Sequence, residues 1–167
     1  MVTQVRDPGL CDASVRVVPH CVAVGQQRAF TVQLQGQSGG VGIGVLPVGH
    51  PTLSSEDLWL PGDSDSALSN GCSWYTVCDG SGGRFYYGGK ESSARVGFGS
   101  GDEVSVVVDR RTHSGNDSGN GVVRFLRNGK ALMSETERPL PIAFPGEAVF
   151  VVSSTFEGRS ARIVRFE

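Results

Sequence analysis

Short runs in which apolar and polar residues alternate dominate this chain, and the clearest is Gly101-Asp102-Glu103-Val104-Ser105-Val106-Val107-Val108-Asp109. Val104, Val106 and Val108 alternate with Ser105, Val107 and Asp109, so one strand face is wholly apolar and the other grows polar toward its end. That is the pattern of a half-buried strand. After a polar loop, Gly121-Val122-Val123-Arg124-Phe125-Leu126-Arg127-Asn128-Gly129-Lys130 repeats it, with Val123 and Phe125 on one face. Asn128-Gly129 supplies the two residues that tolerate positive φ, which predicts a type I′ hairpin followed by a short strand at 131–133.

The same reading predicts strands near 15–18, 28–34, 41–46, 72–78, 84–87, 103–109, 122–127, 148–153 and 161–166, separated by Gly, Ser, Asp, Asn and Pro clusters. Phe30, Val32 and Leu34 alternate with Thr31 and Gln33, and Ile43 and Val45 with Gly42 and Gly44, which points to sheets with one buried face. No stretch carries a convincing helical period. Gly39, Gly40, Gly42 and Gly44 do not form a nucleotide-binding Gly-x-Gly-x-x-Gly before a helix; inside a strand they predict a bulge or close sheet packing. The longest irregular connection, from Pro47 to Asn70, carries Trp59-Leu60-Pro61 amid Ser and Asp, and a loop of that length is more often functional or disordered than idle.

Composition sharpens the class. At 167 residues the chain accommodates one domain with a real core, and its 24 glycines, roughly twice the ordinary share of about 7%, fit an all-β sandwich punctuated by turns. A formal net charge of −2 gives phosphate no overall attraction, so no nucleic-acid partner is expected. Arginine outnumbers lysine 13 to 2, which reads as codon usage before it reads as a recognition surface. No run approaches the roughly 18 apolar residues of a membrane span, and Met1 to Leu10 lacks the blocks of a signal peptide. The expected setting is cytoplasmic or nuclear, with no membrane partner. Cys11, Cys21, Cys72 and Cys78 include no Cys-x-x-Cys pair, so free thiols are expected; three pairings would exist if they were oxidised.

Catalytic and metal signals fail on inspection. Gly62-Asp63-Ser64 resembles an esterase nucleophile block but lies in a Ser/Asp-rich loop, with no strand end and helix around it. Asn116-x-Ser118-x-Asn120-Gly121 partly fits a calcium loop, yet its twelfth position is Arg127 where a bidentate glutamate belongs. Cys72 and Cys78 with the distant His20 or His50 make a poor zinc set, and His20, His50 and His113 have no acid or nucleophile beside them in a familiar spacing. We expect no catalytic residues, no metal and no cofactor.

Taken in order, these segments resemble a SPRY domain, the core of the B30.2 module. Arg28 to Leu34 followed by Gly39 to Leu46 resembles that family's opening strand pair, and Leu68 to Tyr75 with Asp79-Gly80 its Ser-aromatic strand and turn. Tyr87-Gly88 resembles the glycine-bearing segment after it. Gly101-Asp102-Glu103-Val104 with Asp109 resembles the Gly-Asp-x-hydrophobic strand, and Phe125 with Asn128-Gly129 the Phe-x-x-Asn-Gly hairpin; Pro141 to Phe144 and Val149 to Val152 complete the pattern. Ser105-Val106 stands where Ile-Gly is commoner, and no PRY segment precedes residue 22.

The resemblance covers residues 22–167, leaving 1–21 as an N-terminal extension and first strand. It implies an all-β fold, a bent antiparallel two-sheet β-sandwich of SPRY/concanavalin-like type. It also implies a non-catalytic module, an adaptor or a subunit of a larger complex, that captures a protein or short peptide on loops at one edge. Aromatic and arginine side chains on such loops anchor partners at small entropic cost, which singles out His50, Trp59, Arg84 and Tyr86 as partner-binding candidates. Trp74, Tyr75 and Tyr87 lie in strand-like runs and are expected in the core. A carbohydrate-binding, lectin-like sandwich is the alternative, with Trp59 and Tyr86 as stacking faces for sugars.

Overall fold

The computed structural model describes residues 14–35, 40–48, 71–76, 82–94, 97–111, 121–132, 140–141, 146–154 and 160–167. Among them lie twelve strands and no helix. In chain order these are β1 (Ser14–Val22), β2 (Gln27–Gln35), β3 (Val41–Pro47), β4 (Cys72–Thr76), β5 (Gly83–Tyr87) and β6 (Lys90–Ala94). They continue with β7 (Glu103–Asp109), β8 (Val122–Arg127), β9 (Lys130–Leu132), β10 (Leu140–Pro141), β11 (Ala148–Ser154) and β12 (Ser160–Phe166). The first sheet has the order β1-β11-β3-β4-β5-β6; the second runs β10-β8-β7-β2-β12, with β9 also paired to β8. Every pairing is antiparallel.

The two sheets face each other across an apolar layer. From β2, β7 and β8 come Phe30, Val32, Leu34, Val104, Val106, Val108, Val123 and Phe125, the residues that the alternation assigns to one face. From the first sheet come Val41, Ile43, Val45, Phe85, Ala148 and Phe150. Aromatic rings span the gap. Phe30 meets Phe150 at 5.3 Å between centroids, Phe150 meets Phe166 edge-on at 5.7 Å, and Phe85 meets Phe125 at 5.6 Å.

β3 departs from the expected single buried face. All residues from Val41 to Leu46 are buried, so this central strand is covered on both sides. Gly44 shows why a glycine stands there. It pairs with Ser73 on β4, and a Cβ at Gly44 would collide with the Cys72 carbonyl oxygen and stand 2.7 Å from Ser73 Cβ. The glycine marks a close approach between strands and not a bulge.

The hairpin after β8 is of the expected kind: Asn128 and Gly129 have φ of 50° and 75°. β9 starts one residue earlier than the sequence suggests, at Lys130. The turn is also tied down by side chains. Asn128 Nδ2 donates to Asp102 Oδ1 (2.8 Å), while Asn128 Oδ1 accepts from the Glu103 amide (2.9 Å). Asp102 Oδ2 accepts from the Gly99 amide (2.8 Å) and lies 2.9 Å from Arg127 Nε. Partial burial pushes the Asp102 carboxyl upward, but the Gly99 amide, Asn128 and Arg127 outweigh it and hold the group below the ordinary carboxylate value.

Two strands are absent from the sequence reading. β6 (Lys-Glu-Ser-Ser-Ala) has no apolar alternation and forms by pairing with β5 at the sheet edge, and β10 is only two residues long. Residues 77–78, expected to extend β4, lie outside the described residues. β1, in the N-terminal part of the chain, pairs with β11 and places Val22 in the core.

Three outcomes follow from this geometry. Gly44→Ala should destabilise the fold by ~1–3 kcal/mol, because the strands must separate to admit the methyl group. Gly129→Val, in open space, should cost upward of ~1 kcal/mol through backbone strain alone. An unchanged urea midpoint in either variant would contradict the corresponding geometry. Asp102 should also make the fold acid-sensitive. Its contribution is complete above the ordinary aspartate value of about 3.9, shrinks below it, and is gone once pH falls through the lowered folded-state value. Urea midpoints at about pH 6 and about pH 3 should therefore show wild type and Asp102→Asn well apart at the higher pH and nearer together at the lower. A constant gap would refute the carboxylate's role.

Candidate interaction surfaces

Strand alternation sorts the chemistry-bearing residues of β5. Gly83, Phe85 and Tyr87 point to the core side, where Phe85 is buried and Tyr87 packs partly buried against the core; Arg84 and Tyr86 point outward. Arg84 lies at the surface. Its side chain is 46% exposed, and its guanidinium makes a 2.7 Å ion pair with Glu91 on β6, which lies opposite Tyr86 in the register. Hydrogen bonds to Glu91 first, then to Tyr86, keep that guanidinium charged more firmly than a free arginine.

Tyr86 corrects the sequence reading. It is only 6% exposed, and thus is no exposed anchor, although it sits on the outer face. The reason is that this part of the first sheet is closed on its outer side as well. Ser73, paired with Tyr86, is fully buried, and so are Leu46 and Val151, which alternate out of phase with the core positions. An alternating pattern assigns one face to solvent only when nothing covers it. Tyr86 serves instead as a buried support whose hydroxyl helps to hold Arg84.

His50 and Trp59, the other two candidates, lie outside the described residues, as do Gly62-Asp63-Ser64 and the polar loop at 112–120. The structure therefore brings together Arg84 and Tyr86 alone of the four. Among the described residues no group of three His, Cys, Asp or Glu is placed to hold a metal. Cys21 is a free, exposed thiol at the end of β1; Cys72 is free and buried, and burial pushes its thiol far up.

A second charged constellation escaped the sequence reading. Asp109, at the end of β7, faces away from the core yet is only 2% exposed. Arg111 covers it, with Nε donating to Oδ1 (3.0 Å) and a terminal nitrogen donating to Oδ2 (2.8 Å), and a terminal nitrogen also donates to Gln27 Oε1. Arg124, from β8, stands 3.9 Å from the same Asp109 oxygen. The three residues come from two strands and a strand exit, and their spacing in the chain follows no motif. The available signal was that Asp109 ends a strand whose preceding outward position, Val107, is apolar.

No family model matches the chain, and no curated protein matches it in sequence. Its likeness to solved structures is one of shape. A human SPRY domain superposes with a TM-score of 0.58 at 18% identity, covering 91% of this chain and 84% of that one. The PSpry domain of TRIM65 gives 0.53 at 13% identity, covering 90% and 70%. A carbohydrate binding module of Bacillus subtilis gives 0.46 at 9%, covering 93% and 80%. The fold is thus a SPRY-like β-sandwich.

The two residues of β5 should separate cleanly by mutation. Tyr86→Ala should destabilise the domain by ~3–5 kcal/mol, as loss of a buried aromatic does. Arg84→Ala, which breaks only an exposed ion pair, should change stability by less than ~1 kcal/mol. Matching denaturation midpoints for the two variants would overturn this assignment. In the folded protein Cys21 should alkylate readily and Cys72 only after denaturation, read by peptide mass mapping.

Proposed function

We propose that this chain is a non-catalytic protein-interaction module that captures a partner protein or short peptide at the edge of the sandwich marked by β5 and β6. The observation that carries the reading is Arg84, a half-exposed guanidinium held in place by Glu91 and supported from beneath by Tyr86. A planar cation that is already oriented loses little rotamer freedom when a partner carbonyl or carboxylate meets it. The SPRY-like fold supports the same reading, since a rigid sandwich leaves its rims available for recognition. His50 and Trp59 complete the proposed contact from the long loop after β3, and the setting we propose is cytoplasmic or nuclear.

The carbohydrate alternative needs Trp59 and Tyr86 as open stacking platforms. Burial of Tyr86 removes one of the two. Affinity capture from lysate with mass spectrometry, beside a glycan array, separates the readings. We expect a protein or peptide partner, no saturable glycan, and a loss of ~1–3 kcal/mol in partner binding for Arg84→Ala and for Trp59→Ala without unfolding. Full affinity in both variants would place the contact elsewhere; saturable glycan binding without a protein partner would sink the module reading.

A further inference from the structure

The outward face of the second sheet carries chemistry that the β5 surface does not use. Register places Arg124, Val107, Ala29 and Glu167 in one row across β8, β7, β2 and the end of β12. Leu126, Ser105, Thr31 and Arg165 form the next row. A hydrogen bond of 2.8 Å between the Thr31 and Ser105 hydroxyls ties the second row together, and the two-residue spacing along each strand puts both rows on one face. The middle of the face is low because its residues are small. Ala29, Ser105 and Val107 are half-buried there, and long arginine side chains rise on both flanks.

The flanks are arginine-rich by construction. At one corner the buried Asp109 carboxylate holds two guanidiniums at once, those of Arg111 and Arg124, which stay 56% and 43% exposed. One carboxylate thus fixes two cations, and being buried it does not itself meet a ligand. Across the sheet, Arg165 is exposed and only loosely paired with Glu103 (3.6 Å), and Arg162 is exposed beside it, opposite Gln33. Three inter-strand steps at about 4.8 Å separate the two flanks by roughly 14 Å, the reach of four or five extended residues.

We propose that this face docks an acidic, extended segment of a partner protein, with Asp or Glu side chains meeting Arg111 and Arg124 at one end and Arg165 and Arg162 at the other. The proposal rests on the interaction reading above and adds a second contact to it. Charge complementarity decides the occupant. A peptide carries separated carboxylates with neutral backbone between them, which suits two cationic flanks and a neutral floor. A phosphate backbone has a charge at every step and would meet Glu103 and Glu167 as well, on a chain of net charge −2.

The test is fluorescence anisotropy on the full chain, with a fluorescein-labelled Glu-Ser repeat peptide, a Lys-Ser repeat and single-stranded oligothymidine as probes. The Glu-Ser peptide should bind saturably, more weakly as NaCl rises, and on the order of tenfold more weakly in the Arg124→Gln/Arg165→Gln double variant. Lys130→Gln, which removes an exposed cation at the β8–β9 hairpin outside both surfaces, should leave that binding unchanged. Circular dichroism melts verify that the variants are folded; should the double variant melt early, Arg162→Gln, on an exposed position, serves in its place. Equal binding by wild type and variant, no saturable binding, or equally tight binding of oligothymidine would each overturn the proposal. If a captured partner is retained by the double variant but lost by Arg84→Ala, the inference fails and the interaction reading stands. Failure to capture any partner would remove both.

Discussion

The sandwich depends on a small number of phenylalanine rings that cross between its sheets. Phe150 on β11 touches both Phe30 on β2 and Phe166 on β12, and Phe85 on β5 touches Phe125 on β8. Each ring comes from a different strand, so the two sheets are fastened at two separate places. One fastening would leave the sheets able to rotate about it; two fix their relative position. Valines fill the space between, and with ring contacts adding about 0.5–1.5 kcal/mol beyond area burial, the aromatic positions set how the layers sit. The exposed arginines on either outer face are placed only as accurately as this layer is.

Polar groups then lock the register that burial alone selects. β7 begins and ends beside aspartates that face opposite duties. Asp102 ties the turn before β7 to the β8–β9 hairpin through Asn128 and Arg127, and Asp109 ties the exit of β7 to Arg111 and Arg124. Slipping β8 by one residue against β7 would break both sets and turn Phe125 out of the core. Arg110, fully buried at the same exit, donates to the Gly146 carbonyl just before β11, while its backbone amide and carbonyl bond Gln26 and Gly25 in the β1–β2 turn. Buried ionic groups of this sort are costly to desolvate, and their use here is to specify one alignment.

What was legible in the sequence follows from this division of labour. The valine alternation of β7, the Phe125 strand and the Asn128-Gly129 turn were visible because period and turn chemistry are local. The contact between Asp102 and Asn128 was not, although both residues belong to recognisable segments, because it joins positions 26 residues apart. β6 carries no pattern of its own and is a strand only by virtue of β5. The burial of Tyr86 was illegible for a related reason: alternation tells two faces apart but not whether the second is covered. Arg84 could be singled out as exposed; the pairing of Arg111 and Arg124 over Asp109 needed the register of β7 with β8.

The strand order also sets when this chain can acquire its structure. β1 and β3 both pair with β11, and β2 pairs with β12, so Val22 must find Ala148 and Phe30 must find Phe166. During synthesis β1 emerges long before β11, whereas β3 can pair early with β4 and β2 with β7, each keeping one side open until β11 and β12 are made. Loop closure over such separations is slow, and unpaired apolar strands wait exposed in the meantime. Both sheets therefore stay incomplete until β11 and β12 have been made, and the apolar faces of β2 and β3 depend on shielding until then.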